Sequence, residues 1–335
     1  MFKLYILQKL LSFLILFRLK FLYGVLSLFI FFIIFFFKED SYDIPNYIYE
    51  VDSYYNYEFL FSKIIYLIDF VVSDNSLVIF IFQIFVIILI SSIIFLFKED
   101  RILILSIVLC SVAFLIGIHN NLRQGTALLI FLIGILCFLK GFRTSSCILS
   151  LISLGFHESS IFFVLLTIFL GIFYNIFLLK KYYKKNLSRT SLSYLYSIVL
   201  SVVCVLILVI LIDYTNYNEY LGADIGSNNP ERINHNLKIL VLIFYTVLTE
   251  LFFKFKDIDY DLDFFRFLRL FILLFVFQAS IFDQSLIEIS NRILYFYYII
   301  ELGILCFLVE KKMFKILFLM LISSTFAFNV WSILG

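Results

Sequence analysis

Apolar residues run along this chain in long blocks, separated by short polar breaks that carry most of the charge. A helix rising ~1.5 Å per residue needs about 20 apolar residues to cross a hydrocarbon core of about 30 Å. On that measure the pattern predicts spans over 21–37, 76–97, 102–118, 122–139, 159–179, 194–212, 237–253, 265–282, 291–309 and 313–332. The block 144–156 is shorter, and the segment 58–73 is both short and more polar. Within 58–73, Ser62, Tyr66, Asp69 and Ser73 recur at helical spacing opposite Phe61, Ile64, Ile65 and Ile68. That alternation predicts a helix lying in the membrane interface. The predicted fold is therefore all-α, a polytopic transmembrane helix bundle.

Composition narrows the class further. The chain is 63% hydrophobic and 15% charged, against about 45–50% and about 25% in soluble domains. A water-soluble enzyme, a nucleic-acid binder and a disordered chain are excluded. Cys110, Cys137, Cys147, Cys204 and Cys306 all lie inside apolar runs, without C-x-x-C spacing or a nearby His. They read as buried small hydrophobes, not as a disulfide framework or a zinc site.

The net charge of +2 becomes informative only when the charges are sorted by position. Basic residues cluster at Lys3/Lys9/Arg18/Lys20, Lys98/Arg101, Lys140/Arg143, Lys180–Arg189, Lys254/Lys256/Arg266/Arg269 and Lys311/Lys312/Lys315. Placing all six clusters in the cytoplasm satisfies the positive-inside rule. It requires 144–156 and 159–179 to be two passes meeting at an outer turn, Gly155-Phe156-His157-Glu158-Ser159-Ser160. About 11 spans follow in one integral membrane domain over 1–335, with the N-terminus cytoplasmic and the C-terminus outside. The first apolar stretch has a basic flank but no small-residue cleavage site, and reads as an uncleaved anchor. Outer loops are predicted at 38–75, which includes the interfacial helix, and at 213–236. Both prolines, Pro45 and Pro230, fall in these loops, which disfavours the broken helices of a transporter.

The outer face carries 15 acidic residues against six basic ones. Asp43, Tyr47, Tyr49, Tyr54, Tyr55, Tyr57 and Glu58 crowd the first outer loop, where aromatic faces and carboxylates suit a glycan. Tyrosine is also an ordinary interface residue. Two outer arginines sit in polar company at span starts. In His119-Asn120-Asn121-Leu122-Arg123-Gln124-Gly125, residues His119, Asn120, Arg123 and Gln124 share a helix face; Ser290-Asn291-Arg292 opens a later span. A guanidinium at a helix start suits phosphate, because fork geometry and helix dipole both favour it. An arginine paired with an outer acid such as Glu288 is the alternative. His157, in the turn after a helix too short to cross, is a candidate base with Glu158 beside it. The string Asp257, Asp259, Asp261, Asp263 resembles a metal signature but reads as a solvated cytoplasmic loop. Glu250 and Glu301 read as acids paired inside the bundle.

The run Asn120-Asn121-Leu122-Arg123-Gln124-Gly125-Thr126-Ala127 resembles the N-x-x-R-Q-x-x-A signature of the EpsG-like, Wzy-type polysaccharide polymerases. Phe156-His157-Glu158-Ser159-Ser160 is similar to their F-H-x-S turn. Asp43 with Tyr47, then Tyr57-Glu58-Phe59-Leu60-Phe61, resembles their first outer loop, with Phe59 where proline is frequent. Arg292 with Tyr295 is similar to a basic position opening one of their last spans.

The resemblance implies a GT-C-like bundle in the bacterial cytoplasmic (inner) membrane. Its implied activity is to join undecaprenyl-pyrophosphate-linked oligosaccharide repeats on the outer face, a glycosyltransferase reaction needing no nucleotide, cofactor or metal. Arg123 and Arg292, with Arg232, Gln124 and Asn120, would bind pyrophosphate. His157 would act as base, with Glu158 or Asp43 in reserve, and Tyr47, Tyr57 and Glu58 would contact glycan. Membrane lipid, a chain-length regulator and a flippase are the implied partners. A related lipid-phosphate-dependent glycosyltransferase or ligase, a flippase or exporter, and an acyltransferase remain alternatives.

Overall fold

The computed structural model describes residues 44–49, 51, 58–72, 74–98, 100–111, 113, 114, 117, 122–157, 160–173, 198, 199, 201–203, 230–253, 260–282 and 287–321. Among these the regular structure is entirely helical. The chain divides into two compact units. One comprises residues 2–166 and 305–317, and the other chiefly 167–304.

In the first unit, α1 (Ile44–Tyr49) is a short helix with Pro45 in its first turn, where a missing N–H costs nothing. Helix α2 (Phe59–Asp69) follows, then α3 (Asn75–Ser91), which continues as a 3-10 turn over Ser92–Leu96. Asp74 caps α3, its carboxylate accepting the Leu77 N–H at 3.0 Å. Helix α4 (Arg101–Cys110) ends at Ser111. Helix α5 (Leu122–Leu139) is buried at every position from Gln124 to Cys137, as expected of a central helix that is apolar all round. Helix α6 (Arg143–Phe156) packs on α5 in the most extensive contact of this unit. It buries Ser146 and Ser153 while exposing Ile148 and Leu151. Small polar residues inward and aliphatic ones outward is the arrangement of a helix solvated by lipid, not water. Helix α7 (Ser160–Phe173) begins in this unit.

The second unit contains α8 (Pro230–Phe253), α9 (Tyr260–Phe282) and most of α10 (Ile287–Glu310). Proline again opens a helix, at Pro230. Close packing here is explicit at Gly303, where an added Cβ would lie 2.4 Å from Cε1 of Phe265.

Among the described residues three helices are long and apolar enough to cross a membrane: Asn75–Leu96, Leu122–Leu139 and Ile293–Glu310. The predicted count of about 11 is not reached among the described residues. The expected spans 21–37 and all but a few residues of 194–212 lie outside them, as does most of 313–332 beyond residue 321. The expected span 102–118 is a continuous helix only as far as Cys110, and α8 and α9 carry buried charges within their apolar stretches. Where the predicted 144–156 pass falls, α6 has 14 residues, short of the ~20 a crossing needs.

Three further expectations change. Helix α2 buries only Phe61 and Ile65 of its apolar face, with Tyr66 and Leu67 exposed, and stops at Asp69. Cys147 is exposed, whereas Cys137 and Cys306 are buried. Asp261 and Asp263 belong to the first turn of α9, so the aspartate string is not a loop throughout. Its first half, Asp257 and Asp259, lies outside the described residues.

Candidate functional site

Four segments of the first unit bring Tyr47, Glu58, Arg123 and His157 together. Glu58 stands one residue before α2, in extended conformation, and its carboxylate does not cap its own helix. It turns instead to Arg123 in the first turn of α5, accepting from Nη1 through Oε2 at 2.7 Å. The other carboxylate oxygen, Oε1, lies 3.8 Å from Nδ1 of His157. Arg123 Nε donates to the Tyr47 hydroxyl at 3.4 Å, and the Tyr47 ring centroid is 6.0 Å from the guanidinium carbon. One carboxylate thus stands between a permanent cation and a titratable imidazole.

Local packing explains why these residues meet. His157 follows the last turn of α6, and its carbonyl accepts from the Ser160 hydroxyl at 2.6 Å and from the Ser160 N–H at 3.0 Å. That fixes the turn by which α6 hands over to α7. Two residues earlier, Gly155 lets α2 approach; a Cβ there would fall 2.4 Å from Cδ1 and 2.5 Å from Cγ of Leu60. At the start of α5, a Cβ on Gly125 would lie 2.3 Å from the Gly117 Cα, so backbone meets backbone and only glycine fits. Asn75 of α3 donates to the Ile48 carbonyl at 3.2 Å, holding α1 beside the site. Beneath lie aromatic rings, Phe61 against Tyr47 at 5.9 Å, Phe82 against Phe61 at 5.0 Å and against Phe156 at 6.3 Å. The Arg123 side chain is 26% exposed, against 12% for Glu58 and 15% for His157. An approaching anion meets the arginine first.

The remaining predicted residues are placed as follows. Gln124 is buried, and its Nε2 makes no hydrogen bond among the described residues. Arg232 lies in the first turn of α8 and Arg292 in the second turn of α10, both in the other unit. Asp43, Tyr57, Asn120 and Glu158 lie outside the described residues. Among the described residues no three His, Cys, Asp or Glu side chains converge as a metal site would require.

The second unit holds a buried polar cluster that charge position along the sequence did not reveal. Arg266 and Arg269, expected beside a cytoplasmic loop, are buried in α9. Both reach Glu250 of α8: Arg266 through Nε at 2.9 Å and Nη2 at 2.5 Å, Arg269 through Nη2 at 2.6 Å. Arg269 Nη2 also donates to Thr249 at 2.9 Å, and Arg266 Nη1 to Asp263 at 3.0 Å. Glu301 of α10 accepts from the Tyr245 hydroxyl, and Thr246 shares a 2.8 Å hydrogen bond with Tyr297. Glu250 is paired inside the protein, as the sequence suggested. Its partners were recognisable only as two arginines three apart in an aromatic stretch, across a short connection from an acid.

Among the described residues the regular structure is helical, with long apolar helices, outward-facing aliphatics and buried charges that are hydrogen-bonded, as in an integral membrane protein. The EpsG family model matches residues 6–335. The chain belongs to the EpsG family, polysaccharide polymerase-like membrane proteins. No curated protein and no solved structure matches it.

Proposed function

We propose that this protein is a polysaccharide polymerase of the outer face of the bacterial cytoplasmic membrane, its N-terminus cytoplasmic and its C-terminus outside. Its substrates are oligosaccharide repeats on undecaprenyl pyrophosphate. Family membership supports a polymerase-like role. The observation that carries the finer reading is the meeting of Arg123, Glu58 and His157 from separate segments.

In the reaction the bond from the anomeric carbon to the pyrophosphate oxygen breaks, and that oxygen leaves with the electron pair. A new bond forms from the same carbon to a hydroxyl oxygen of the next lipid-linked repeat. The hydroxyl proton passes to His157. Arg123 stabilises the charge that develops on the departing pyrophosphate, an effect worth about 10²–10³ in rate for a single well-placed donor. Gln124 and Asn120 are proposed to assist Arg123, and Arg292 and Arg232 are proposed as further pyrophosphate-binding residues. His157 supplies general-base assistance, typically about 10²–10⁴-fold, with Glu158 and Asp43 as the reserve carboxylates. Tyr47 and Tyr57 form the glycan-contacting aromatic surface. The sugar–pyrophosphate bond carries the free energy of transfer, so no nucleotide takes part. A flippase and a chain-length regulator are the proposed partners.

Purified protein supplied with undecaprenyl-pyrophosphate-linked repeats tests the reading. A ladder of products spaced by one repeat supports a polymerase. A single added unit makes the protein a ligase or single-sugar transferase. Movement of lipid-linked glycan across vesicles without bond formation makes it a flippase.

A further inference from the structure

We infer that Glu58 is a positioning residue that switches partners during the cycle, occupying Arg123 until a pyrophosphate displaces it and then engaging His157. The inference rests on the function proposed above and deepens it. It also departs from the sequence-based expectation that Glu58 contacts glycan.

The geometry has three parts. First, the two oxygens of one carboxylate are divided unequally. Oε2 makes a charge-assisted hydrogen bond to Arg123 at 2.7 Å, while Oε1 stands 3.8 Å from His157 Nδ1, beyond hydrogen-bond range. A shift of about 1 Å brings the second pair into range. Second, Glu58 is free to make that shift without disturbing a helix. Its own carbonyl already accepts the Ser62 N–H at 2.9 Å, and its side chain has no capping role. Third, Tyr47 of α1 and Glu58 at the start of α2 both accept hydrogen bonds from Arg123, and aromatic rings of α2, α3 and α6 pack beneath them.

A pyrophosphate carries more negative charge than a carboxylate and presents paired oxygens to the guanidinium fork, so it competes for Arg123. The displaced carboxylate is then repelled by the incoming phosphate oxygens. His157 Nδ1–H is the donor within reach. Once Glu58 accepts that hydrogen bond, the imidazole is held with Nε2 unprotonated and its basicity rises. Leaving-group binding thereby prepares the base, and an empty site holds Glu58 on the arginine instead.

Glu58→Gln in the purified full-length protein tests this, with inorganic pyrophosphate as binding probe and lipid-linked repeats for turnover. The amide keeps the side chain's shape but removes both the competition for Arg123 and the support of His157. Pyrophosphate binding should tighten several-fold while kcat falls roughly 10-fold or more, and the acidic limb of the pH–rate profile should shift. Glu58→Asp, retaining a carboxylate, should recover part of kcat. Unchanged or weaker pyrophosphate binding overturns the switch, as does a raised KM for the acceptor with kcat intact, which would mark Glu58 as a glycan contact. If wild-type protein yields no product from lipid-linked repeats, the polymerase reading fails instead, and the two failures are distinct. Should Glu58→Gln not fold, pyrophosphate protection of wild-type Arg123 from an arginine-modifying dicarbonyl replaces it; no protection overturns the proposal.

Discussion

Replacing Gly155 by alanine adds a single methyl group at the joint between α6 and α2, and its effect can be worked from the structure. The new Cβ falls 2.4 Å from Leu60 Cδ1, 2.5 Å from Cγ and 3.1 Å from Cβ, whereas carbon atoms pack at about 3.5–4.0 Å. Cγ and Cδ1 are each about 1 Å too close, so with the Leu60 rotamer kept the two segments part by about 1 Å, whereas the contact at Cβ needs only a few tenths of an ångström. Overpacking of this kind costs about 1–3 kcal/mol. Catalysis should suffer more than stability. Leu60 is two residues from Glu58 and Gly155 two from His157, so the same displacement opens the 3.8 Å gap between them. A misplacement of ~1 Å near a reacting centre costs on the order of 100-fold in rate. Elongation rate and thermal unfolding in detergent should be measured for Gly155→Ala, Leu60→Ala and the double variant. The prediction is a large loss in Gly155→Ala, recovered when Leu60 is also trimmed, with the two changes strongly non-additive. Wild-type elongation in Gly155→Ala, or no recovery in the double variant, would refute the reasoning.

Arg123→Lys should lower elongation at least roughly 10-fold, because a point charge cannot reach both Glu58 and Tyr47 as the guanidinium does; steady-state kinetics will show it. His157→Ala should lower turnover by about 100-fold or more and flatten the pH–rate profile relative to wild-type protein. In the second unit, Glu250→Ala leaves two buried guanidinium groups on α9 without their shared carboxylate and should destabilise the protein by about 3–5 kcal/mol; a shift in unfolding midpoint within error would count against the cluster. In variants each retaining one cysteine, a membrane-permeant maleimide should modify Cys147 readily, and Cys137 and Cys306 only on denaturation.

Apolar block length made most of the helices legible, because desolvation forces long apolar runs into helices wherever water is excluded. The segments 122–139 and 237–253 are helical, and 144–156 is a short helix ending at the predicted turn. The sequence also named Tyr47, Glu58, Arg123 and His157 individually, the first two from the crowded first outer loop and the others from their polar settings at helix ends. It could not pair them, since Glu58 and Arg123 are 65 residues apart and nothing in spacing reports long-range contact. Glu58 was therefore assigned to sugar and Arg123 to phosphate separately, and the 2.7 Å ion pair between them was not foreseen. The burial of Arg266 and Arg269 was missed for a related reason. The positive-inside rule weighs a charge by its distance from a span end along the chain, and takes no account of a carboxylate on the neighbouring helix. Cys147 was misjudged because a position inside an apolar run does not tell which face of the helix it occupies.

In the proposed mechanism Arg123 and His157 act together on a lipid-linked pyrophosphate sugar. Release of undecaprenyl pyrophosphate in a single turnover, followed in wild-type protein and in Arg123→Ala and His157→Ala, tests it most directly. Wild-type protein should release one lipid pyrophosphate per glycosidic bond, and each variant should be slower by about 100-fold or more. Release at the wild-type rate in both variants would contradict the claim.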